Sequence, residues 1–168
     1  YLHGSFAQTY KGHGTDRALV AGALGFNESD DRLCTSFAIA DEMGLAYHDY
    51  GTYTAESCDY PVFGVRAAKA VAAGECERGI VICGTGIGIS LAANKVKGIR
   101  CALCSEPYSA ELTRRHNDAN MLALGARVIG PELAKSIVRT FLTTEFEGGR
   151  HERRIAMLAA VENGEEIG

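Results

Sequence analysis

Residues 80–88 read Ile80-Val81-Ile82-Cys83-Gly84-Thr85-Gly86-Ile87-Gly88, and the stretch that follows, Ile89-Ser90-Leu91-Ala92-Ala93-Asn94-Lys95, has the composition of a helix. An apolar β-branched run reads as a buried strand, and glycines at alternate positions mark a tight turn from that strand into the helix. A strand, a thiol and an anion cradle therefore follow one another directly. Glycines let backbone N–H groups approach and face a negatively charged ligand, and the dipole at the helix start favours the same charge. A phosphate or an enolate oxygen suits such a cradle. The spacing of Gly84, Gly86 and Gly88 does not fit G-x-G-x-x-G, and no lysine stands where a P-loop needs one, so a nucleotide is disfavoured. The pattern by itself leaves Cys83 open between a reactive thiol and a small apolar filler.

Outward from this stretch, helix and strand patterns alternate. Pro61 opens an Ala- and Val-rich helix ending near Gly74, a strand spans 79–83, a helix 87–95 and a strand 100–104. Pro107 starts a helix to 116, a strand follows near 120–124, Gly130-Pro131 introduces a helix over 131–143, and a charged helix covers about 150–162. This alternation predicts an α/β fold, a parallel sheet with helices on both faces. Ligands of such sheets sit outside the C-terminal strand ends, where Cys83 falls. Upstream, residues 31–43 place Leu33, Phe37 and Ala40 on one helical face with Gly44 as the C-cap, and Leu45-Ala46-Tyr47-His48 enters a strand. The run Arg17 to Leu24 is short and apolar, and its three alanines against one β-branched residue favour a helix.

At 168 residues the chain makes about one domain, and its net charge of −4 is interspersed, which excludes a nucleic-acid surface. No apolar run long enough to cross a membrane occurs, and the first residues lack a basic-then-apolar leader, so the expectation is a cytoplasmic protein without a membrane partner. The six cysteines (34, 58, 76, 83, 101, 104) stand singly in ordinary helix and strand patterns. Cys101 and Cys104 have a redox or zinc spacing, but a strand would point them to opposite faces, so they read as reduced thiols and no metal is expected.

Several motifs in order carry a resemblance: Asp49-Tyr50-Gly51-Thr52-Tyr53, Asp59-Tyr60-Pro61, Ile82 to Gly88, Ala93-Asn94-Lys95, Gly98-Ile99-Arg100, His116-Asn117-Asp118-Ala119-Asn120, Gly125 to Gly130 and Phe146-Glu147-Gly148-Gly149-Arg150-His151. From about Tyr47 to Val161 the chain resembles the type B ribose-5-phosphate isomerase family, which includes galactose-6-phosphate isomerase subunits. That family normally opens with a strand ending in an Asp-His pair that contacts the sugar, and no Asp-His dipeptide stands before residue 47. Instead, His3 to Leu19, with His13 at its centre, is similar to the β-domain of iron–sulfur L-serine dehydratases. The expected organisation is an N-terminal, mainly helical segment over 1–46 and a sugar-phosphate isomerase domain over 47–168, joined near residue 46.

The resemblance implies a Rossmann-like, doubly wound parallel sheet whose first strand is left open here, and an aldose–ketose isomerase acting through an enediolate without metal or organic cofactor. It assigns the base to Cys83, with Thr85 handling the sugar hydroxyls. Amides of Gly84, Gly86, Ile87 and Gly88 would favour the thiolate and hold the enediolate oxygen. His116 is the implied acid that opens the furanose ring, Asn117 its neighbour at the enediolate, and Arg127, Arg150 and Arg154 the phosphate clamp, whose planar forks suit phosphate oxygens. The family places His116 across a subunit interface from the cysteine, which implies a homodimer or homotetramer with shared active sites. The substrate is a sugar phosphate, most simply ribose 5-phosphate. A second reading is a catalytically impaired fusion that keeps only an oligomerising core, because Gly22 and Ala23 could not replace an Asp-His pair. The sequence does not separate pentose from hexose or tetrose phosphates.

Overall fold

The structure, a computed structural model, describes residues 46–52 and 57–168. The helices read over 17–24 and 31–43, the question of a first strand, and the dehydratase-like segment all lie outside the described residues. The elements run α1 (Tyr60–Ala72), β1 (Gly79–Cys83), α2 (Ile87–Ala93), β2 (Cys101–Leu103), α3 (Pro107–Asn117), β3 (Met121–Gly125), α4 (Pro131–Thr143) and α5 (Arg150–Glu162). Proline opens α1, α3 and α4, where its missing N–H costs nothing because the first turn has no partner for it. The Glu106 carboxylate caps α3, accepting from the N–H groups of Tyr108 at 2.6 Å and Ser109 at 2.7 Å.

The described strands pair in the order β1-β3-β2, all parallel, from Gly79 against Met121 to Cys83 against Gly125. Side chains alternate across this sheet as the strand period requires. Ile82, Leu122 and Leu124 join Ala110, Ile137, Val138 and Phe141 of α3 and α4 on one face, while Val81, Cys83, Met121 and Ala123 join Ala67, Ala68, Ile89 and Ala93 of α1 and α2 on the other. Buried on both faces, β3 carries no polar side chain. The fold is the expected α/β arrangement, a parallel sheet with helices on both sides. Cys104 belongs to one core and Cys101 borders the other, so their thiols stand on opposite faces.

Helix α2 ends at Ala93 rather than at residue 95, and two strands also differ from the sequence reading. The strand expected over 100–104 is confined to Cys101–Leu103, because the Arg100 N–H goes to Asn120 Oδ1 at 2.9 Å and the chain beyond Cys104 turns into the α3 cap. The strand expected to begin at Leu45-Ala46-Tyr47-His48 does not appear in 46–52. There the Asp49 carboxylate turns the chain back on itself, accepting the Gly51 N–H at 2.7 Å, a side-chain bond that competes with a ladder.

Candidate active site

Cys83 is the last residue of β1, buried at 8% exposure, with its side chain on the α1 and α2 face. The chain then reverses into α2, and the Gly86 N–H donates to Cys83 Sγ at 3.2 Å. Gly86 sits at φ 78°, and a Cβ there would stand 2.8 Å from the Leu124 carbonyl carbon, so only glycine fits both the torsion and the space. Thr85 is exposed at the tip, its Oγ1 accepting the Ile87 N–H at 3.3 Å. The backbone locks this loop to the end of β3, with Ala126 N–H donating to the Cys83 carbonyl and Arg127 N–H to the Gly84 carbonyl, each at 2.9 Å. The exposed Arg127 side chain thereby lies over Gly84, where an added Cβ would stand 3.5 Å from its Nε. On the other side Tyr60 packs so closely on Gly88 that a Cβ would stand 2.8 Å from its hydroxyl. A thiol, loop amides and a guanidinium thus converge at the C-terminal edge of the sheet.

His116 and Asn117 end α3, and a second cluster forms around them. The imidazoles of His116 and His151 lie face to face, centroids 4.1 Å apart and planes within 4°. Glu147 Oε2 stands 3.6 Å from His116 Nε2 and 3.7 Å from His151 Nε2. Arg115 holds the other oxygen, with Nε donating to Glu147 Oε1 at 2.7 Å. The Arg115 hydrogen bond is the first cause that keeps the Glu147 carboxyl below the usual carboxylate range. Burial, then the charges of His116 and Arg150, push the His151 imidazolium below the ordinary histidine range. Arg150 Nε donates to His151 Nε2 at 3.4 Å. Arg154 lies one turn further on the same helix and is exposed, as is Arg150.

Among the described residues, His116, Glu147 and His151 put three ligand-type atoms within 4.8 Å of one another. The parallel rings do not suit a metal, since an ion bound by both nitrogens would have to lie in two separated planes. Arg115 and Arg150 already supply the positive charge there. Sequence reasoning quoted Glu147 and His151 within a motif but gave them no role. The signal was Gly148-Gly149 just before Arg150-His151, a pair whose positive φ values of 67° and 58° aim α5 so that its one buried residue, His151, reaches His116.

The expected site residues fall into two groups that one chain does not unite. Cys83, Thr85, Gly84, Gly86, Ile87, Gly88 and Arg127 gather at the C-terminal edge of the sheet, where Cys83 pairs with Gly125. His116, Asn117, Arg150 and Arg154 belong to the opposite edge. Arg100, at the head of β2, donates from Nε to the Asn117 carbonyl at 2.9 Å, and Asn120 accepts the Gly79 N–H at 3.0 Å where β1 begins. The length of β1, four steps of ~3.3 Å, separates the two edges by about 13 Å.

A parallel sheet covered by helices on both faces, with a thiol in a glycine turn at the C-terminal end of a strand, defines an α/β protein of the class whose ligands sit at that end of the sheet. The family described as Ribose/Galactose Isomerase matches residues 28–158, and the chain belongs to that family. The match begins upstream of Tyr47. The chain is 54% identical over 121 residues to the ribose-5-phosphate isomerase B of Escherichia coli K12, covering 72% of this chain and 81% of that protein. It is 46% identical over 125 residues to the D-erythrulose-4-phosphate isomerase of Pectobacterium atrosepticum, covering 74% and 82%. Among solved structures, the ribose-5-phosphate isomerase B of Clostridium thermocellum superposes with a TM-score of 0.72 at 52% identity, covering 79% of this chain and 92% of that one.

Proposed function

We propose that the protein interconverts ribose 5-phosphate and ribulose 5-phosphate by proton transfer through an enediolate. The observation that carries this reading is the Gly86 N–H donating to Cys83 Sγ at 3.2 Å, in a glycine loop over which the Arg127 side chain lies at Gly84. His116 gives a proton to the furanose ring oxygen while the C1 hydroxyl gives one up to solvent water, which frees the aldehyde and from which His116 is reprotonated. The Cys83 thiolate then takes the C2 proton, and the electron pair moves onto the C1 oxygen. Amides of Gly84, Gly86, Ile87 and Gly88 hold that developing charge, an interaction that strengthens only as the reaction proceeds. The O2 proton passes to O1, Cys83 returns its proton to C1, and the ketose results with no net change in oxidation. Thr85 and Asn117 hydrogen-bond the sugar oxygens, and Arg127, Arg150 and Arg154 hold the phosphate.

This scheme needs the Cys83 loop of one subunit and the His116 cluster of another, because about 13 Å of sheet lies between them in one chain. Helix α5 supports such a partnership, for Leu158 and Val161 are 54% and 51% exposed along with Met157. A homodimer is the smallest assembly that completes two sites. The alternative of an impaired core is not favoured, since relatives named as isomerases align over most of their own length. The test is an isomerase assay of Cys83→Ala and Cys83→Ser with ribose 5-phosphate. Turnover should fall by about three orders of magnitude or more with far-UV circular dichroism intact, and near-normal turnover in either variant overturns the thiol base.

A further inference from the structure

The contacts around His116 reach beyond the acid itself. His116 is the penultimate residue of α3, with its side chain 32% exposed, a place where an imidazole is ordinarily free to rotate. Here His151 meets it face to face at 4.1 Å, and His151 is itself 6% exposed, so the platform is held in the protein interior. The segment that carries the platform is tied to α3 by the Glu147 N–H, which donates to the Arg115 carbonyl at 3.0 Å. The Glu147 carboxylate pairs with Arg115 and stands beside both imidazoles. At 3.6 Å from His116 Nε2 it acts through charge rather than a direct hydrogen bond.

We propose that Glu147 and His151 are positioning residues for His116: the His151 ring fixes the plane of the His116 imidazole, and the Glu147 carboxylate is the counter-charge beside its Nε2. The inference rests on the reading of His116 as the ring-opening acid. Neither group touches the sugar in this scheme. Their effect is on turnover, because an acid that wanders by an ångström loses much of its contribution. The lowered imidazolium range of His151 fits the arrangement, since the ring stacked on His116 is thereby kept from adding a further charge.

The experiment uses the full chain as His151→Ala, His151→Phe, Glu147→Gln and, for reference, His116→Ala. Side-chain NMR of labelled histidines reads the stack directly: the His116 ring protons should lose their ring-current shift in His151→Ala and keep it in His151→Phe. With ribose 5-phosphate, kcat should fall about tenfold or more in His151→Ala and Glu147→Gln with KM within about twofold, and His151→Phe should restore it. If His116→Ala is slow while His151→Ala, with its stack lost, turns over normally, the positioning role is wrong and the acid assignment stands. If His116→Ala itself turns over normally, the acid assignment is wrong. A folded His151→Phe that keeps the stack without recovering kcat also overturns the proposal.

Discussion

At the scale of single residues, thiols of one chain differ by what surrounds them. Cys83 ends a strand beneath an N–H donor, whereas burial pushes the Cys101 thiol up to about 12, helped by its neighbour Cys104, and burial with the Glu106 charge pushes Cys104 up to about 11. Only the thiolate alkylates, so at pH 8 iodoacetamide should leave Cys101 and Cys104 unmodified. Site-resolved mass spectrometry checks this. Rapid labelling of Cys101 at that pH would contradict the burial described. His116 shows the reverse lesson: beside Arg114-Arg115 it has the look of a solvated helix end, yet Arg114 is 1% exposed, donating to Asp118 Oδ1 and the Ala119 carbonyl at 2.7 Å each.

At the scale of elements, the turns decide the site. Gly86→Ala should cost about 2 kcal/mol of stability for the left-handed torsion and its crowding against Leu124, and should lower turnover by moving the N–H away from Cys83. Urea unfolding and steady-state kinetics measure the two effects. The joint between α4 and α5 makes stability depend on pH. His151 is held below its ordinary value of 6.5, so the unfolded chain takes up a proton first and stability declines as pH falls from 6.5 toward the lower folded value. Glu147 is held below 4.5, and its contribution, present above 4.5, is lost as pH falls through its folded value. Urea titrations between pH 7 and pH 4 should therefore show a loss beginning near 6.5, and His151→Phe should flatten the upper part of that limb. An unchanged limb in that variant would rule out His151 as its source.

At the scale of the whole molecule, the two groups of residues assigned to the proposed site stand at opposite ends of the strands, and the proposed sharing between subunits is the economical way to join them. The prediction is complementation: Cys83→Ala and His116→Ala, each inactive with ribose 5-phosphate, should regain activity when unfolded together and refolded as mixed dimers. Random pairing yields one intact site in each mixed dimer, or about a quarter of the wild-type sites. Mixtures no more active than their components would mean that both groups act within one chain.

The sequence by itself determined most of the fold. Prolines 61, 107 and 131 and the β-branched run at 80–82 are local signals, and the helices they open and β1 formed where those signals stood. It also determined the thiol-in-glycine loop, because Cys83 and its amides are neighbours along the chain. Tertiary structure decided what depends on contacts between distant residues. The extent of β2 and the absence of a strand over 46–52 turned on which groups took the backbone N–H donors, here the side chains of Asn120 and Asp49. The stacking of His151 on His116 joins residues 35 positions apart, and no periodicity announces it. The separation of the Cys83 loop from the His116 cluster came with parallel pairing, which sets Cys83 against Gly125 and Gly79 against Met121, a register fixed only when the strands meet.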